Sequence, residues 1–456
     1  MMKPTAINLT VTGLAYKGQG IAHHLGKVFF IDDVLPGDQI LVEDYLDHGS
    51  WAEASESTLV SPASIRQPSP CAYSDTCGGC QWLELPYAEQ QRWKAGFIND
   101  AMQRVGKLSA CTVDELRPSP LQLHYRNRIM LRGQLSADGS ITLGYFRKKS
   151  RDLVPISRCM IATPLLNQVL ERLLEQRLLT ERAVKFRLNL QVVELFAEGQ
   201  QASVLATVHP VEAGTATILQ GLVSVLQGFA EVLWSGLHEE LKTLRLIPFE
   251  GGGDNQAPFY TAPEQFQQVN LGQNRAVRHL LSQLVDNVAP RGTVVDLFCG
   301  TGNLSLGLAQ AGRRIFGVEL NAQAIKIANF MVAGRGLTNA QYFHMSADSF
   351  LEAWGRHRAP PLKKRRHSPQ SLPAEAQGLI EVLIADPPRA GMKECLPHLL
   401  RLRPRKIIYL SCDPITMARD IGKLGEAYEV ELLRGFDFFP QTYHVETLAV
   451  LTLRHP

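Results

Sequence analysis

The stretch I-I-Y-L-S-C-D-P-I-T-M-A-R-D at residues 407–420 decides how the rest of the chain is read. A β-branched and aromatic run stops at Ser411-Cys412, an acid and a proline follow, and a helical pattern then begins. Proline suits a first helical turn, where no N–H partner is needed, so the pattern predicts Cys412 at a strand-to-helix corner. In open α/β sheets the ligand crevice lies outside the carboxyl ends of the strands. A thiol placed there is a strong nucleophile once deprotonated. Cysteine taken alone is more often a small buried residue. The motifs around this one reverse that expectation.

Upstream, V-L-I-A-D-P-P-R at 382–389 reads as a strand ending on Asp386-Pro387-Pro388. Further back, T-V-V-D-L-F-C-G-T-G-N-L-S-L at 293–306 gives strand, glycine turn and helix, and R-I-F-G-V-E-L at 314–320 gives a strand ending on an acid. Glycines in such a turn let the backbone approach a nucleotide closely, and Glu319 is placed to accept hydrogen bonds from ribose hydroxyls. A third fingerprint glycine is missing, Asp296 precedes the turn, and an Asp-Pro-Pro follows later. Together these point to S-adenosylmethionine over a dinucleotide. Arg389 stands where enzymes acting on amino groups carry an aromatic residue, which argues against an amino-group target. P-E-Q-F-Q-Q-V-N at 263–270, followed by a helical pattern, marks the start of this α/β region.

Residues 5 to 60 read as a small β domain. Ile7, Leu9 and Val11 alternate with polar residues, V-F-F-I and I-L-V follow at 28–31 and 40–42, and Gly18, Gly20, Gly26 and Pro36-Gly37-Asp38 punctuate them. Short strands with regular turns suggest a five-stranded barrel of the OB type, a frequent oligonucleotide platform. A linker then leads to C-A-Y-S-D-T-C-G-G-C at 71–80, with Cys71, Cys77 and Cys80 at C-x5-C-x2-C spacing. Cys159 is the best candidate for a fourth ligand. Four thiolates suit zinc or an iron–sulfur cluster, and spacing does not separate the two.

Between 82 and 260 strands and helices alternate, with an amphipathic helix predicted from Pro86 to Gly106. The runs at 124–132 and 143–151 are strand-like and basic. Arg126, Arg128, Arg147, Lys148, Lys149 and Arg151 are candidates to track a phosphate backbone beside aromatic stacking faces. Residues 354–377, with K-K-R-R at 363–366, break the rhythm and predict an inserted loop. The expected divisions are 1–62, 63–262 and 263–456. In outline the chain is a multidomain α/β protein: an OB-like β-barrel, a central α+β domain holding a four-cysteine site, and a Rossmann-like methyltransferase domain.

At 456 residues the chain is too long for one core. No unbroken apolar run approaches a membrane span, and no signal-peptide pattern opens the chain. A cytoplasmic setting is therefore expected, where eight cysteines mean catalysis or metal rather than disulfides. A net charge of +3 leaves nucleic-acid binding to local clustering.

D-P-P-R-A-G, I-I-Y-L-S-C-D-P-I-T and F-D-F-F-P-Q-T-Y-H-V-E at 436–446 resemble the signatures of the RNA uracil-5-methyltransferases, and the likeness covers the whole chain. The resemblance implies that the first domain is a TRAM domain and that Cys71, Cys77, Cys80 and Cys159 hold a 4Fe-4S cluster. It implies Cys412 as nucleophile and Glu446 as base. Gln268, Phe298, Asn303, Glu319 and Asp386 match cofactor-contacting positions, as does Ser346, with Asp348 the alternative acid. Members joining a TRAM domain and a cluster modify 23S ribosomal RNA, so that partner is implied, with a monomer expected because one chain carries every part. Met331, Arg335 and Asp413 replace the family's usual asparagines, and a carboxylate beside the thiol is expected to disfavour thiolate. Alternatives are an RNA cytosine-5-methyltransferase and a catalytically silent RNA-binding or ribosome-assembly protein.

Overall fold

Alternating apolar positions in the first sixty residues close a barrel. A computed structural model of the chain describes residues 6–454 apart from 114–115, 194–202, 212–215, 229, 235–246, 251–258, 263–264, 357–371 and 373–375. Strands β1 (Ile7–Leu14), β2 (Gly20–His24), β3 (Lys27–Ile31), β4 (Gln39–Asp47) and β5 (Trp51–Ser61) pair around the barrel in the order β1-β2-β3-β5-β4. Leu9, Val11, Phe29, Ile31, Ile40 and Val42 fill it. Buried Asp38 accepts from the Leu35 and Ala63 amides at 2.6 and 2.8 Å and pairs with Arg66, which fastens the barrel to the segment that follows.

The central region begins with α1 (Tyr87–Arg104), inside the predicted helical span. Then come β6 (Arg128–Leu135), β7 (Ile141–Phe146), β8 (Leu153–Pro155), α2 (Pro164–Leu174), β9 (Val184–Val193), β10 (Ser203–Pro210), α3 (Ala216–Gln227) and β11 (Glu231–Trp234). The strands form a six-stranded sheet, β11-β10-β9-β6-β7-β8, with α2 and α3 buried against it. A short pair, β12 (Ile247–Glu250) and β13 (Phe259–Thr261), leads onward. Helix α1 does not join this sheet. Its Ile98, Ala101 and Met102 share a core with Met417, Ala418 and Ile421 from the far end of the chain.

Two expectations need correction. The basic run at 124–132 is a strand only from Arg128, and Arg128 turns inward, donating to Asn189 Oδ1 at 3.1 Å and the Gln265 carbonyl at 2.7 Å. Arg126 Nε is likewise sealed from solvent. Arg128 is committed to a polar seam and does not form part of an exposed phosphate rail, while Arg126 is half-buried beside Cys80 and Cys159. The predicted insertion also begins too early, because Trp354 and Gly355 are buried, and Leu372 and Ala376 return to the core. The basic cluster at 363–366 lies outside the described residues.

The last third comprises α4 (Leu271–Val288), β14 (Thr293–Leu297), a 3-10 turn (Leu306–Ala311), β15 (Arg314–Glu319), α5 (Ala322–Gly334), β16 (Ala340–His344), α6 (Ala347–Arg356) and β17 (Val382–Ala385). It ends with α7 (Leu396–Leu402), β18 (Lys406–Ser411), α8 (Pro414–Leu424), β19 (Tyr428–Phe436) and β20 (Glu446–Leu453). Their sheet runs β16-β15-β14-β17-β18-β20-β19. The first five are parallel, while β20 is antiparallel to both β18 and β19. Strands β14, β17 and β20 are nearly unbroken apolar runs because helices cover both faces. Residues of α4 and α5 lie in one core, and those of α1, α6, α7 and α8 in another. Strand order reverses between β14 and β17, which opens the crevice there.

Candidate active site

Parallel pairing puts the carboxyl ends of β14, β15, β16, β17 and β18 on one edge of the sheet. After β14 the chain enters the glycine turn, where Phe298, Gly300 and Gly302 have φ of 61°, 54° and 85°. A Cβ at Gly302 would meet the Tyr342 hydroxyl at 2.9 Å, whereas one at Gly300 would meet nothing within 4 Å. The second glycine is needed for packing, and the first leaves room for a ligand against the backbone. Glu319 ends β15 and ties itself to this turn, accepting from Gly300 N at 3.2 Å and Asn321 N at 2.8 Å. Asn303 exchanges paired amide hydrogen bonds with Asn274 of α4, at 2.8 and 3.1 Å.

Several polar groups on this edge are left without protein partners. Gln268 Oε1 is buried with none, just before Asn270 caps α4. Both oxygens of Asp296 are buried and lack a hydrogen bond of good geometry. Burial pushes Asp296 up to about 7, with the Ser305 hydroxyl offsetting part of the shift. Asp386, just past β17, is also pushed up to about 7 by burial. Unpartnered buried acceptors beside an open glycine turn fit a ligand that brings donors and positive charge. Ser346 lies past β16 and donates to Ser349 Oγ at 2.8 Å. Asp348 sits in the first turn of α6, close enough to Cys395 to raise its thiol.

Cys412 stands at the predicted corner. Strand β18 ends at Ser411, and Asp413 caps α8, its Oδ1 accepting from Ile415 N at 2.9 Å and Thr416 N at 3.0 Å. Pro414 occupies the first helical turn. Because Ser411 pairs with Thr447 in an antiparallel ladder, the next step sets Cys412 beside Glu446. Burial, then the Glu446 charge, pushes the thiol up to about 11, while Arg389 hydrogen-bonds it and acts in the opposite direction. Glu446 itself is driven well above the usual carboxylate range by burial and by Asp386. The charges that move the thiol are Glu446, Arg389 and Asp386.

The segment carrying Glu446 is held from outside the sheet. Lys94 of α1 donates to Asp437 Oδ1 at 2.7 Å and to the Phe439 carbonyl at 3.0 Å, with both charged side chains 0% exposed. Gln90 and Gln441 exchange hydrogen bonds at 2.8 and 2.9 Å. Asn270 and Gln273 of α4 donate to the carbonyls of Phe438 and Asp437 at 3.2 Å each. Among the aromatics of the segment before Glu446, Phe438 is a core residue. Tyr443 instead packs against Tyr16 of the barrel. Sequence reasoning missed three parts of this centre. Arg389 was legible in the D-P-P-R run, whereas Lys94 and Tyr16 carry no local signal because their partners lie over 300 residues away.

A second cluster of thiols lies apart from the sheet edge. Cys71, Cys77, Cys80 and Cys159 all line one cavity of about 130 Å3, with Tyr145, Arg126 and Ile156 among its walls. Burial raises Cys80 strongly, and Cys159, Cys77 and Cys71 raise it further. They do not close on one point: among the described residues no three His, Cys, Asp or Glu converge tightly enough to hold a single metal ion.

Fold and site together define a methyltransferase fold with a cysteine corner at the rim of its ligand crevice. A family model described as tRNA (Uracil-5-)-methyltransferase matches residues 254–454. The 23S rRNA (uracil(1939)-C(5))-methyltransferase RlmD of Shewanella woodyi is 30% identical over 464 residues, covering 98% of this chain and 96% of its own. An uncharacterized RNA methyltransferase of Thermosynechococcus vestitus is 29% identical over 467 residues, with 98% of each chain covered. Among solved structures, the Pyrococcus abyssi tRNA (uracil-54, C5)-methyltransferase in complex with S-adenosyl-L-homocysteine superposes with a TM-score of 0.66 at 22% identity, covering 98% of this chain and all of its own. The chain belongs to the S-adenosylmethionine-dependent RNA uracil-5-methyltransferase family. No described helix is long and apolar enough to cross a membrane.

Proposed function

We propose that the protein transfers a methyl group from S-adenosylmethionine to C5 of a uridine in 23S ribosomal RNA, through a covalent bond between Cys412 and C6 of the base. The observation that carries this is the juxtaposition of Cys412 with Arg389 and Glu446 at the carboxyl edge of the sheet. Uracil C5 is too weak a nucleophile to attack a methyl donor unaided. Once its proton is lost, Cys412 Sγ adds to C6, and the electron pair moves onto C5 and O4. Arg389 favours the thiolate that starts this step. S-Adenosylmethionine, when bound, would supply an electrophilic methyl group to C5, its S–CH3 bond breaking so that S-adenosylhomocysteine leaves as a neutral thioether. Glu446 then removes the surplus C5 proton, the ring double bond re-forms, and the Sγ–C6 bond breaks to return the thiolate. Glu446 takes the proton in its carboxylate form, which burial makes more basic and less populated.

Gln268, Phe298, Asn303, Glu319, Ser346 and Asp386 form the cofactor set, with Asp348 as the alternative acid to Ser346. Glu319 and the glycine turn suit ribose and adenine, and the unpartnered acceptors of Gln268 and Asp296 suit the charged end. The four-thiol cavity suits a 4Fe-4S cluster. Zinc is the alternative for four thiolates, and iron and acid-labile sulfide content separates the two. No electrons move in the methyl transfer, so the cluster is structural. Residues 1–62 serve as a TRAM-like RNA-binding barrel, 63–262 as the cluster domain and 263–456 as the Rossmann-like catalytic domain of a monomer.

Full-length likeness to an enzyme named for 23S rRNA favours that substrate. Likeness over an equal span to an enzyme named for tRNA supports a second reading, in which the same chemistry acts on tRNA. Domain architecture therefore does not choose between them. Mapping 5-methyluridine in ribosomal and transfer RNA, from cells with and without the gene, decides: loss of one site in 23S RNA is expected, and loss confined to tRNA overturns the ribosomal reading.

A further inference from the structure

The barrel reaches the catalytic corner. In the turn between β1 and β2, the Tyr16 hydroxyl donates to the backbone carbonyl of Cys412 at 3.1 Å, across 396 residues of chain. Its ring is fixed on two sides, edge-on to Phe97 of α1 at 5.9 Å and to Tyr443 at 6.3 Å. The turn itself is tightly shaped. Ala15 N donates to Gln19 O at 2.7 Å, Gly18 N donates to Ala15 O at 2.9 Å, and Lys17 and Gly18 both have φ of 90°. A Cβ on Gly18 would meet Tyr443 Cδ1 at 3.0 Å, so this position needs glycine both for its backbone and for the closeness of the approach. Beneath it, Leu14, Leu35, Trp82, Leu85 and Phe97 form a buried cluster that joins barrel, linker and α1.

We infer that Tyr16 is a positioning residue for the nucleophile, so that the N-terminal barrel is a working part of the catalytic centre as well as an RNA-binding module. This rests on Cys412 being the nucleophile. The carbonyl that Tyr16 holds belongs to the peptide between Cys412 and Asp413, where the chain turns from β18 into α8. On the far side of that peptide, the Asp413 carboxylate is tied into the helix cap. With both sides held, the direction of the Cys412 Cα–Cβ bond is set, and the thiol stays against Arg389. Burial and the neighbouring Asp413 keep the Tyr16 hydroxyl protonated, so it remains a donor. Freed from this bond, the corner samples other orientations, and the thiol loses part of its contact with the guanidinium.

Tyr16→Phe removes the hydroxyl and keeps the ring, so the full-length protein should melt as wild type does. Two readouts test it. In the protein alone, the pH profile of Cys412 alkylation by iodoacetamide should shift upward, because Arg389 favours thiolate less. With an in vitro 23S rRNA transcript, the single-turnover rate at saturation should fall about three- to tenfold, the range one hydrogen bond supports, with RNA affinity within about twofold of wild type. Gly18→Ala, which forces the turn away from Tyr443, should reproduce both changes. An unaltered alkylation profile in both variants overturns the inference. Weakened RNA binding with an unchanged rate at saturation overturns it as well, making Tyr16 an RNA contact. Because alkylation needs no RNA, a wild-type protein inert on this transcript would count against the proposed substrate, and the profile would still decide the role of Tyr16.

Discussion

Two thiol environments in this molecule look alike by burial and differ in the company they keep. At the sheet edge, Cys412 has one cation and two carboxyls about it, so its charge is contested by groups of opposite sign. In the cavity of the central region, Cys71, Cys77, Cys80 and Cys159 line one space, and the thiols of Cys71, Cys77 and Cys80 are raised first by burial and then by neighbouring thiols. The first arrangement lets a single sulfur become nucleophilic when a substrate arrives. The second makes the thiolates of Cys71, Cys77 and Cys80 unfavourable until a positive centre neutralises them. Burial raises the thiols in both places, and the charges around each sulfur distinguish the two.

The sharpest way to break this contrast is to remove the edge thiol. Cys412→Ala should lower methylation by about 10^4-fold or more, the scale on which covalent catalysts lose rate when the nucleophile goes. It should also abolish the covalent adduct with 5-fluorouridine-substituted RNA, read as a gel shift. Turnover at the normal rate would end the mechanism. Glu446→Gln comes next, with turnover reduced about 10^2- to 10^4-fold through a different step. Addition and methyl transfer precede proton removal, so a methylated protein–RNA adduct should accumulate on ordinary uridine RNA.

Cys80→Ser tests the other environment and should separate from both. Anaerobically purified wild-type protein should carry iron and acid-labile sulfide in equal amounts, and the variant should lose both. The central sheet loosens without its cross-link, so melting should fall by several degrees, and RNA affinity should drop more than the rate at saturating RNA. Zinc in stoichiometric amount would instead make the site a simple metal clip.

How far the sequence revealed this contrast depends on where each determinant lies. The corner at Cys412 was legible because a strand end, an N-cap acid and a proline are adjacent in sequence. The three close cysteines were legible for the same reason. What anchors the pocket loop was not. Lys94 and Asp437 are 343 residues apart, and nothing local marks either as half of a buried ion pair. Helix α1 reads as part of the central region by position, yet its apolar face completes the core of the seven-stranded sheet's helix layer beside α8. The run at 124–132 misled at Arg128 for a related reason, since an arginine that alternates with apolar residues looks exposed until its partners, Asn189 and the Gln265 carbonyl, are placed.

Arg389→Met sharpens the contrast by making the edge thiol resemble the cavity thiols. Thiolate is the reactive form, so below a pKa of about 11 the alkylation rate of wild-type Cys412 should climb about tenfold per pH unit. Removing the cation takes away what favours the charged form. The midpoint should therefore move up by about 1 unit or more, and alkylation at about pH 8 should slow about tenfold. A profile that stays put would show that Arg389 serves the RNA and not the sulfur.

The smallest effect is expected where the sequence raised a specific concern. Asp413 brings a carboxylate next to the nucleophile, which on charge alone should suppress thiolate. In the structure one of its oxygens accepts from both Ile415 N and Thr416 N, so its charge lies against the partly positive start of α8. Glu446 and Asp386 are the acids that raise the thiol. An asparagine side chain would present the same acceptor to the same amides, so Asp413→Asn should change the single-turnover rate by less than about threefold, under the scale of one hydrogen bond, and leave the alkylation profile in place. Asp413→Ala deletes the cap, at a cost of about 1 kcal/mol in stability, and frees one side of the Cys412 peptide. Its rate should fall further than that of the asparagine variant. The reverse order would mean that the carboxylate charge, and not the cap, governs the corner.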